Sequence, residues 1–187
     1  MSGKALRKAL GGSNLYLIGM MGSGKSATGP ILAKALNYSF VDSDKIIEDL
    51  IGLPIPKIFE EEGEEAFREV ESKVLQSIGE RHSLIVSTGG GSVIKNENWG
   101  IFHQGIVIWI DPTREVLLQR LRIEKNKRPL LINNLENTLD SIFAERKSLY
   151  LEADLRVSIS DEPVEVVATK ILKELPKILT SPEDLCE

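Results

Sequence analysis

The sequence is most informative at Gly19-Met20-Met21-Gly22-Ser23-Gly24-Lys25-Ser26, which follows a short apolar run and precedes a stretch of helical character. This stretch matches the pattern G-x-x-x-x-G-K-[ST] in the strand-to-helix context that the pattern requires. Glycines allow several backbone N–H groups to turn toward one anion, and the start of the following helix adds positive potential. The stretch therefore predicts a phosphate-binding loop between a strand and a helix.

The side chains of this loop have distinct predicted roles toward a nucleoside triphosphate. Lys25 would bring its charge to the β- and γ-phosphates, which makes it a catalytic candidate, and Ser26 would offer its hydroxyl to Mg²⁺. We expect the ATP-binding residues of the loop to be Gly22, Ser23, Gly24, Lys25, Ser26 and Ala27. The loop predicts nucleotide binding but leaves the acceptor of the phosphate open.

Short apolar runs alternate with longer amphipathic stretches along the chain. The predicted strands cover 15–18, 39–42, 84–87, 106–110 and 155–159, and the predicted helices cover 25–36, 45–80 with interruptions, 113–122, 135–151 and 163–175. This alternation is typical of βαβ units, and strands that are apolar throughout indicate a parallel sheet buried on both faces. The sequence therefore predicts a three-layer α/β/α fold with ligands beyond the carboxyl ends of the strands.

Length and composition indicate a single domain, 1–187, that binds neither nucleic acid nor membrane. The chain is 42% hydrophobic and 27% charged with a net charge of −5, and a nucleic-acid-binding face would be basic. No apolar run reaches the roughly 18 residues of a membrane span, and the N-terminus lacks the apolar segment of a secretory signal. The one cysteine, Cys186, permits no intrachain disulfide and fits a reducing compartment.

Two acidic residues stand directly after the second predicted strand. Asp42 and Asp44 are two positions apart, so on an extended segment both carboxylates would face the same way. Asp42 could then complete a Mg²⁺ site, and Asp44 could take the proton of an acceptor hydroxyl. Either residue could instead cap the helix that begins near Lys45, because aspartate is a favoured N-cap.

A glycine triplet and three arginines complete the candidate site. Gly89-Gly90-Gly91 follows the third strand and would offer bare N–H groups to a small polar ligand, although a plain loop would also use glycines. Arg68, Arg128 and Arg146 could each be an exposed surface charge. Phosphoryl transfer, however, requires a cation over the moving phosphate, and a carboxylate substrate requires a bidentate partner.

Together these motifs resemble those of the shikimate kinases. The shared set consists of the phosphate loop, Asp42-x-Asp44, Phe67-Arg68, Gly89-Gly90-Gly91, Arg128-Pro129-Leu130-Leu131 and Arg146-x-x-x-Tyr150, in the order and at about the spacing of that family. The resemblance covers about 14–175, and the sequence at 15–26 and at Asn98-Trp99 is similar to the plant and cyanobacterial branch. It implies a P-loop kinase fold with a mobile lid and a five-stranded parallel sheet in the order 2-3-1-4-5.

The resemblance also implies an activity and roles for individual residues. The reaction would be transfer of the γ-phosphate of ATP to the 3-hydroxyl of shikimate, with Mg²⁺ as cofactor. Asp44 would be the catalytic base, Arg68 and Arg146 would pair with the shikimate carboxylate, and Gly90 and Gly91 would donate backbone N–H groups. The lid, about 123–134, would bring Arg128 onto the phosphates as a catalytic and ATP-binding residue. Arg120 would stack on the adenine, unless it is a surface charge. Phe59 and Phe67 would form walls of the substrate pocket, unless they are core residues.

The chain departs from the family pattern at three places. Ala27 stands where many relatives have threonine, and Pro30 lies inside the helix after the phosphate loop, where it should bend or loosen that helix. Asp161-Glu162-Pro163 stands where many relatives carry an arginine-bearing adenine loop, so the adenine contacts and nucleotide preference stay open. We also expect helices at about 43–80 to bind the substrate and the tail at 176–187 to be loose.

Two other functions remain possible at the level of sequence. One is a different small-molecule kinase of the same fold, such as a gluconate or nucleoside monophosphate kinase. The other is an inactive relative that binds a nucleotide or a protein partner. Because the paired aspartates and the helix arginines suit a hydroxy acid, we expect a shikimate kinase that is a cytoplasmic monomer. A plastid enzyme that has lost a transit peptide is the alternative location.

Overall fold

The computed structural model describes residues 3–124 and 135–179 and contains a parallel five-stranded sheet. The strands are β1 Leu15–Ile18, β2 Ser39–Asp42, β3 Leu84–Ser87, β4 Ile106–Pro112 and β5 Leu155–Ile159. All strand pairs are parallel and the spatial order is β2-β3-β1-β4-β5. The predicted α/β fold and strand order are therefore confirmed.

Helices connect the strands and cover both faces of the sheet. Among the described residues they are α1 Gly3–Leu10, α2 Lys25–Leu36, α3 Ser43–Ile51, α4 Ile55–Glu61, α5 Gly63–Gly79, α6 Asn96–Phe102, α7 Arg114–Glu124, α8 Leu135–Tyr150 and α9 Val164–Leu179, with a 3₁₀ turn at Ser92–Ile94. The predicted helical stretch at 45–80 is divided into three helices. Gly52 and Gly63, with φ of 78° and 84°, stand at the two divisions, in a conformation that favours glycine.

Two apolar cores lie on opposite faces of the sheet because alternate strand residues point to opposite sides. In β1, Tyr16 and Ile18 belong to the core under α3, α5, α6 and α8, whereas Leu15 and Leu17 belong to the core under α1, α2 and α9. Each fully buried large apolar side chain contributes about 1.5–3 kcal/mol relative to exposure. The fold is thus a three-layer α/β/α sandwich whose central strands are buried on both sides.

Some elements differ from the sequence predictions. No element was predicted at Gly3–Leu10, but α1 buries Leu6 and Leu10 against the second core. The short α6 was likewise not predicted. Helix α2, in contrast, spans Lys25–Leu36 as predicted, with Pro30 inside it.

The predicted loose tail begins too early. Helix α9 runs through Pro176 to Leu179, since Leu175 is fully buried and Leu179 packs against the same core. This burial offsets the backbone hydrogen bond that a proline removes from a helix. The remainder of the predicted tail, 180–187, lies outside the described residues.

The fold brings three loops together at one edge of the sheet. The phosphate loop follows β1, Asp42 ends β2 with Asp44 just after it, and the glycine triplet follows β3. These strands are neighbours in the sheet, so the carboxyl ends of all three open onto the same region. This is the ligand-binding edge of a parallel α/β sheet.

Candidate active site

The phosphate loop has the backbone shape that its sequence predicts. Gly19, Gly22 and Gly24 have φ of 139°, 76° and 96°, in the region that side chains disfavour. A Cβ on Gly19 would lie 2.5 Å from the carbonyl oxygen of Ile110, so only glycine fits there. The loop then enters α2 at Lys25, where the helix N-terminus faces the loop.

Lys25 is buried inside the loop and not extended into solvent. Its Nζ donates hydrogen bonds to the carbonyl oxygens of Gly19 at 2.8 Å and Met20 at 2.9 Å, and to the hydroxyl of Ser23 at 3.2 Å. Burial lowers the pKa of Lys25 to about 8, against the opposing effect of the Asp44 and Asp42 carboxylates. The ammonium charge of Lys25 is therefore sensitive to pH in a range close to neutrality.

We expect ATP affinity to fall by about tenfold from about pH 7 to about pH 9, because a group with a pKa near 8 loses most of its protonated form over this interval. The phosphates of ATP bind the charged ammonium of Lys25 and not its neutral form. The affinity for ATP therefore decreases as the pH rises. Calorimetric titration with ATP at fixed ionic strength measures this dependence. The Lys25→Arg variant keeps its charge and should give a flat profile; a flat profile for the unaltered protein would contradict the expectation.

Ser26 and Asp42 lie together beside the phosphate loop. The Ser26 hydroxyl donates to Oδ2 of Asp42 at 2.6 Å and lies 3.1 Å from the hydroxyl of Ser87. Oδ1 of Asp42 accepts from the backbone N–H groups of Asp44 and Lys45, so Asp42 is the N-cap of α3. The capping role that the sequence left open therefore belongs to Asp42, which still has its second oxygen at Ser26.

A cation could find ligands at this pair. Within 3–124 and 135–179, no group of three or more His, Cys, Asp or Glu side chains is arranged to hold a metal ion. A hydroxyl and one carboxylate are, however, the protein ligands that Mg²⁺ takes when nucleotide phosphates and water supply the remainder. The donors at Ser26 and Asp42 fit that ion.

A second cavity, of about 290 Å³, is lined by Asp44 and by Met21 of the phosphate loop, and it shares no lining residue with the cavity at Gly22, Ser23 and Gly24. It is lined by Met21, Asp44, Ile55, Phe59, Glu64, Phe67, Arg68, Glu71, Gly89, Gly90, Gly91 and Arg146. Its wall therefore contains carboxylates, two guanidinium groups and aromatic rings. Every substrate-binding residue proposed from the sequence is in this lining.

Asp44 is half-buried in the first turn of α3 and faces this cavity. Burial raises its pKa, the neighbouring carboxylate of Asp42 raises it further, and Lys25 opposes both effects. A Cβ placed on Gly89 would lie 2.7 Å from Oδ1 of Asp44 and 2.6 Å from Oε1 of Glu71. The two carboxylates thus converge on Gly89, and only a glycine leaves room for them.

Arg68 is fixed by acidic neighbours on its own helix. Its guanidinium forms ion pairs with Glu71 at 2.7 Å and with Glu64 at 3.1 Å, and it lies over the ring of Phe67 at 5.2 Å from the ring centre. Glu71 is fully buried, which raises its pKa, while the charge of Arg68 acts in the opposite direction. Glu71 therefore sets the position of Arg68 in the cavity.

Arg146 reaches the cavity from α8. Its Nη1 donates to the carbonyl oxygen of Gly90 at 3.1 Å, and the hydroxyl of Tyr150 donates to the same oxygen at 2.8 Å. Burial raises the pKa of Tyr150 to about 12, so this hydroxyl keeps its proton. Nε of Arg146 and Oε1 of Glu71 are buried without a hydrogen-bond partner among the described residues, which leaves polar capacity for a ligand.

The cavity at the phosphate loop has a volume of about 440 Å³ and continues past the loop to an apolar wall. Arg120 also lines this cavity, and its Nη1 donates to the carbonyl oxygens of Gly22 at 3.1 Å and Ser23 at 3.2 Å. The apolar wall consists of Ile123, Ile159, Val164 and Val167. This shape can hold a triphosphate at the loop and a planar base against the wall.

The loop Asp161-Glu162-Pro163, which departs from the family pattern, is fixed by contacts of the Glu162 side chain. Glu162 accepts from the backbone N–H of Ser160 at 2.7 Å and pairs with Lys170. The carboxylate of Glu162 is therefore engaged within its own segment. Arg128 and most of the predicted lid, 125–134, lie outside the described residues, and 123–124 form the end of α7.

Sequence reasoning missed Glu71 and Ser87. Glu71 stands three positions after Arg68, and this spacing on a helix could have indicated a pair on one face. Ser87 ends β3 beside Asp42, its partner in the β2–β3 ladder, and the strand register gives this neighbourhood. The sequence alone gives no register, so Ser87 carried no such signal.

Known proteins resemble this chain over nearly its whole length. The family model for shikimate kinase matches residues 21–176. A shikimate kinase of Prochlorococcus marinus (strain MIT 9313) is 56% identical over 181 residues, which are 96% of this chain and 94% of that relative. This relative is cyanobacterial, as the sequence resemblance indicated.

Solved structures agree with this assignment. A shikimate kinase from Acinetobacter baumannii, solved in complex with shikimate, superimposes with a TM-score of 0.85 at 35% identity, covering 92% of this chain and 97% of that one. A gluconokinase from Sinorhizobium meliloti has a TM-score of 0.55 at 17% identity over 93% of this chain and 95% of its own, and shares the fold alone. The chain belongs to the shikimate kinase family.

Proposed function

We propose that the two cavities bind the two substrates of the family reaction, ATP at the phosphate loop and shikimate in the cavity beyond Asp44. Membership of the family makes the chain an ATP-dependent kinase that forms shikimate 3-phosphate. The observation that carries the assignment of sites is the position of Asp44. Its carboxylate lines the second cavity and is also a close electrostatic neighbour of Lys25 in the phosphate loop.

Asp44 is the base in the proposed mechanism. The 3-hydroxyl of shikimate donates its proton to the Asp44 carboxylate as its oxygen attacks the γ-phosphorus of ATP. The pKa of Asp44 is raised by burial and by Asp42, and a carboxylate with a raised pKa is a stronger proton acceptor. The bond between the γ-phosphorus and the bridging oxygen breaks, and ADP leaves.

The acid group of shikimate is proposed to lie between Arg68 and Arg146. Both guanidinium groups line the cavity, and Glu71 holds Arg68 from the side away from solvent. Two guanidinium groups suit a carboxylate because each can donate parallel hydrogen bonds to it. The N–H groups of Gly90 and Gly91 and the rings of Phe59 and Phe67 would hold the remainder of the substrate, and Gly89, whose N–H donates to the hydroxyl of Ser43, would contact it through its backbone surface.

Lys25 and the loop N–H groups are proposed to bind the phosphates. Lys25 would exchange its hydrogen bonds to the loop carbonyls for the β- and γ-phosphates, and Arg120 would lie against the base. Arg128 is proposed to approach the phosphates from the lid. Mg²⁺, held by Ser26 and Asp42, would neutralise the phosphate charge during transfer. Closure of the lid would exclude water and limit hydrolysis of ATP.

Two further points are proposed on composition and on the relatives. We propose that the enzyme acts as a monomer, because both cavities are lined by residues of one chain. We propose a cytoplasmic location, as suits the single cysteine and the cyanobacterial relatives. No helix in the described part of the chain is long and apolar enough to cross a membrane.

Turnover of ATP with and without shikimate tests the proposed function. We expect the purified protein with Mg²⁺ to release ADP rapidly only when shikimate is present, together with shikimate 3-phosphate, because the acceptor completes the site. A coupled ADP assay with mass detection of the product measures both. Gluconate serves as the control acceptor. Equal turnover with gluconate, or ADP release that does not depend on shikimate, would contradict the proposal.

A further inference from the structure

A third cavity lies between the helices that carry Asp44 and Arg68. It has a volume of about 390 Å³ and lies between α3 and α5, over the edge of the sheet at β2 and β3. None of its lining residues belongs to the ATP cavity or to the shikimate cavity. A volume of this size is within the range of small-molecule sites in proteins.

Most of the wall of this cavity is aliphatic. Residues four apart on a helix lie on the same face, so Val70, Val74 and Ile78 form one apolar row along α5. Ile46 and Leu50 face this row from α3 in the same way. Leu50 lies in the lining of the cavity and keeps 69% of its surface exposed, which leaves apolar surface that a ligand would cover.

Polar side chains border the apolar row. Lys73 and Ser77 follow at an interval of four on α5, Arg81 lies two residues beyond the end of this helix, and all three line the cavity. Neither Lys73 nor Arg81 has an acidic partner within ion-pair distance among the described residues, and the lining contains no acidic residue. The margin of the cavity is therefore cationic, whereas the chain as a whole carries a net charge of −5.

We infer that this cavity, called here the α3–α5 pocket, binds a small hydrophobic monocarboxylic acid. The aliphatic rows would cover the hydrocarbon part of the acid, since its transfer from water is favourable in proportion to buried apolar area. The carboxylate would stay at the exposed margin beside Lys73 and Arg81, where it keeps partial hydration and avoids the cost of a buried charge. A neutral molecule of the same size would use only the apolar part of the pocket.

A ligand in the α3–α5 pocket would alter the affinity of the neighbouring site for shikimate. Helix α3 carries Asp44 and helix α5 carries Arg68, and the pocket lies between these two helices. The phosphate loop is not part of its wall. A bound acid is therefore expected to change the KM for shikimate more than the KM for ATP.

Octanoate and 1-octanol are the probes for this inference, because they differ in charge and share their hydrocarbon chain. Titration is carried out with protein saturated with shikimate, so that the substrate arginines are already engaged. We expect octanoate to bind at least about tenfold more tightly than octanol, as one charge-assisted contact allows. Methyl signals of Ile46, Leu50 and Val70 in carbon-13 spectra should shift as octanoate is added.

The double variant Lys73→Gln/Arg81→Gln is the decisive test. This variant should bind octanoate about tenfold more weakly than the unaltered protein does, and its affinity for octanol should be unchanged. Both side chains are exposed, so the variant should fold, and Lys34→Gln, an exposed lysine on α2, is the matched control. Unchanged octanoate binding in the double variant, equal binding of the two probes, or no binding would overturn the inference. Methyl shifts confined to Ile55, which lines the shikimate cavity with Arg68 and Arg146, would also overturn the inference because they would place octanoate in that cavity.

Discussion

Replacing Asp44 by asparagine is expected to lower kcat by about 10²–10⁴, the range of a lost general base. Asparagine has nearly the same shape as aspartate but cannot accept the hydroxyl proton. The phosphate loop is unchanged, so the affinity for ATP should change little. Steady-state kinetics with shikimate, together with calorimetric titration of ATP, separates the two quantities.

Asp49→Asn is the matched control for this change. Asp49 lies on the same helix, α3, but is exposed and lines neither substrate cavity. It makes the same change of charge without touching the site, so its kcat should equal that of the unaltered enzyme. A kcat for Asp44→Asn close to the unaltered value would exclude Asp44 as the base.

Replacing Gly91 by alanine is expected to raise the KM for shikimate by about tenfold to a hundredfold. A Cβ on Gly91 would lie 2.7 Å from Cζ of Arg68, so the guanidinium must move away. The φ of Gly91 is −102°, which alanine adopts without strain, and the backbone N–H is retained. The loss expected is that of charge-assisted hydrogen bonds to the substrate acid, about 1.5–3 kcal/mol, with a factor of ten for each ~1.4 kcal/mol.

Gly100→Ala is the control for the added methyl group. Gly100 lies in α6, and a Cβ there meets no atom within 4 Å. This variant should keep both KM values. An unchanged KM for shikimate, or an equal rise in both KM values, would show that Arg68 does not hold the acid.

The core of the fold was predictable because its signals are local. The phosphate loop combines a fixed pattern with a strand before it and a helix after it. The strands β1, β3 and β4 are mainly apolar runs, and β5 alternates apolar and polar residues. The spatial order of the strands came from the family resemblance and not from the runs themselves. Helix α1 was not predicted, because eight residues carry a weak periodic signal and the helix is stabilised by the packing of Leu6 and Leu10 against a core that is distant in sequence.

The candidate site was predictable where residues belong to a recognisable motif. Asp44, Arg68 and Arg146 all line one cavity, although they come from three different helices. Glu71 was missed since a glutamate on a charged helix normally faces water, and only the packing of α5 shows that it is fully buried. The prediction for Pro176 failed for the same reason, because apolar burial outweighed a local preference.

The two oxygens of Asp42 have a consequence for how the protein can be studied by mutation. One oxygen caps the helix that carries Asp44, and the other accepts from Ser26 in the phosphate loop. Replacement of Asp42 by alanine therefore disturbs the start of the helix, at a cost of about 1 kcal/mol for a lost cap, together with the surroundings of Ser26. Asparagine caps a helix as well as aspartate does, so Asp42→Asn keeps the cap and removes only the charge beside Ser26. Comparison of the two variants separates the architectural role of Asp42 from its chemical role.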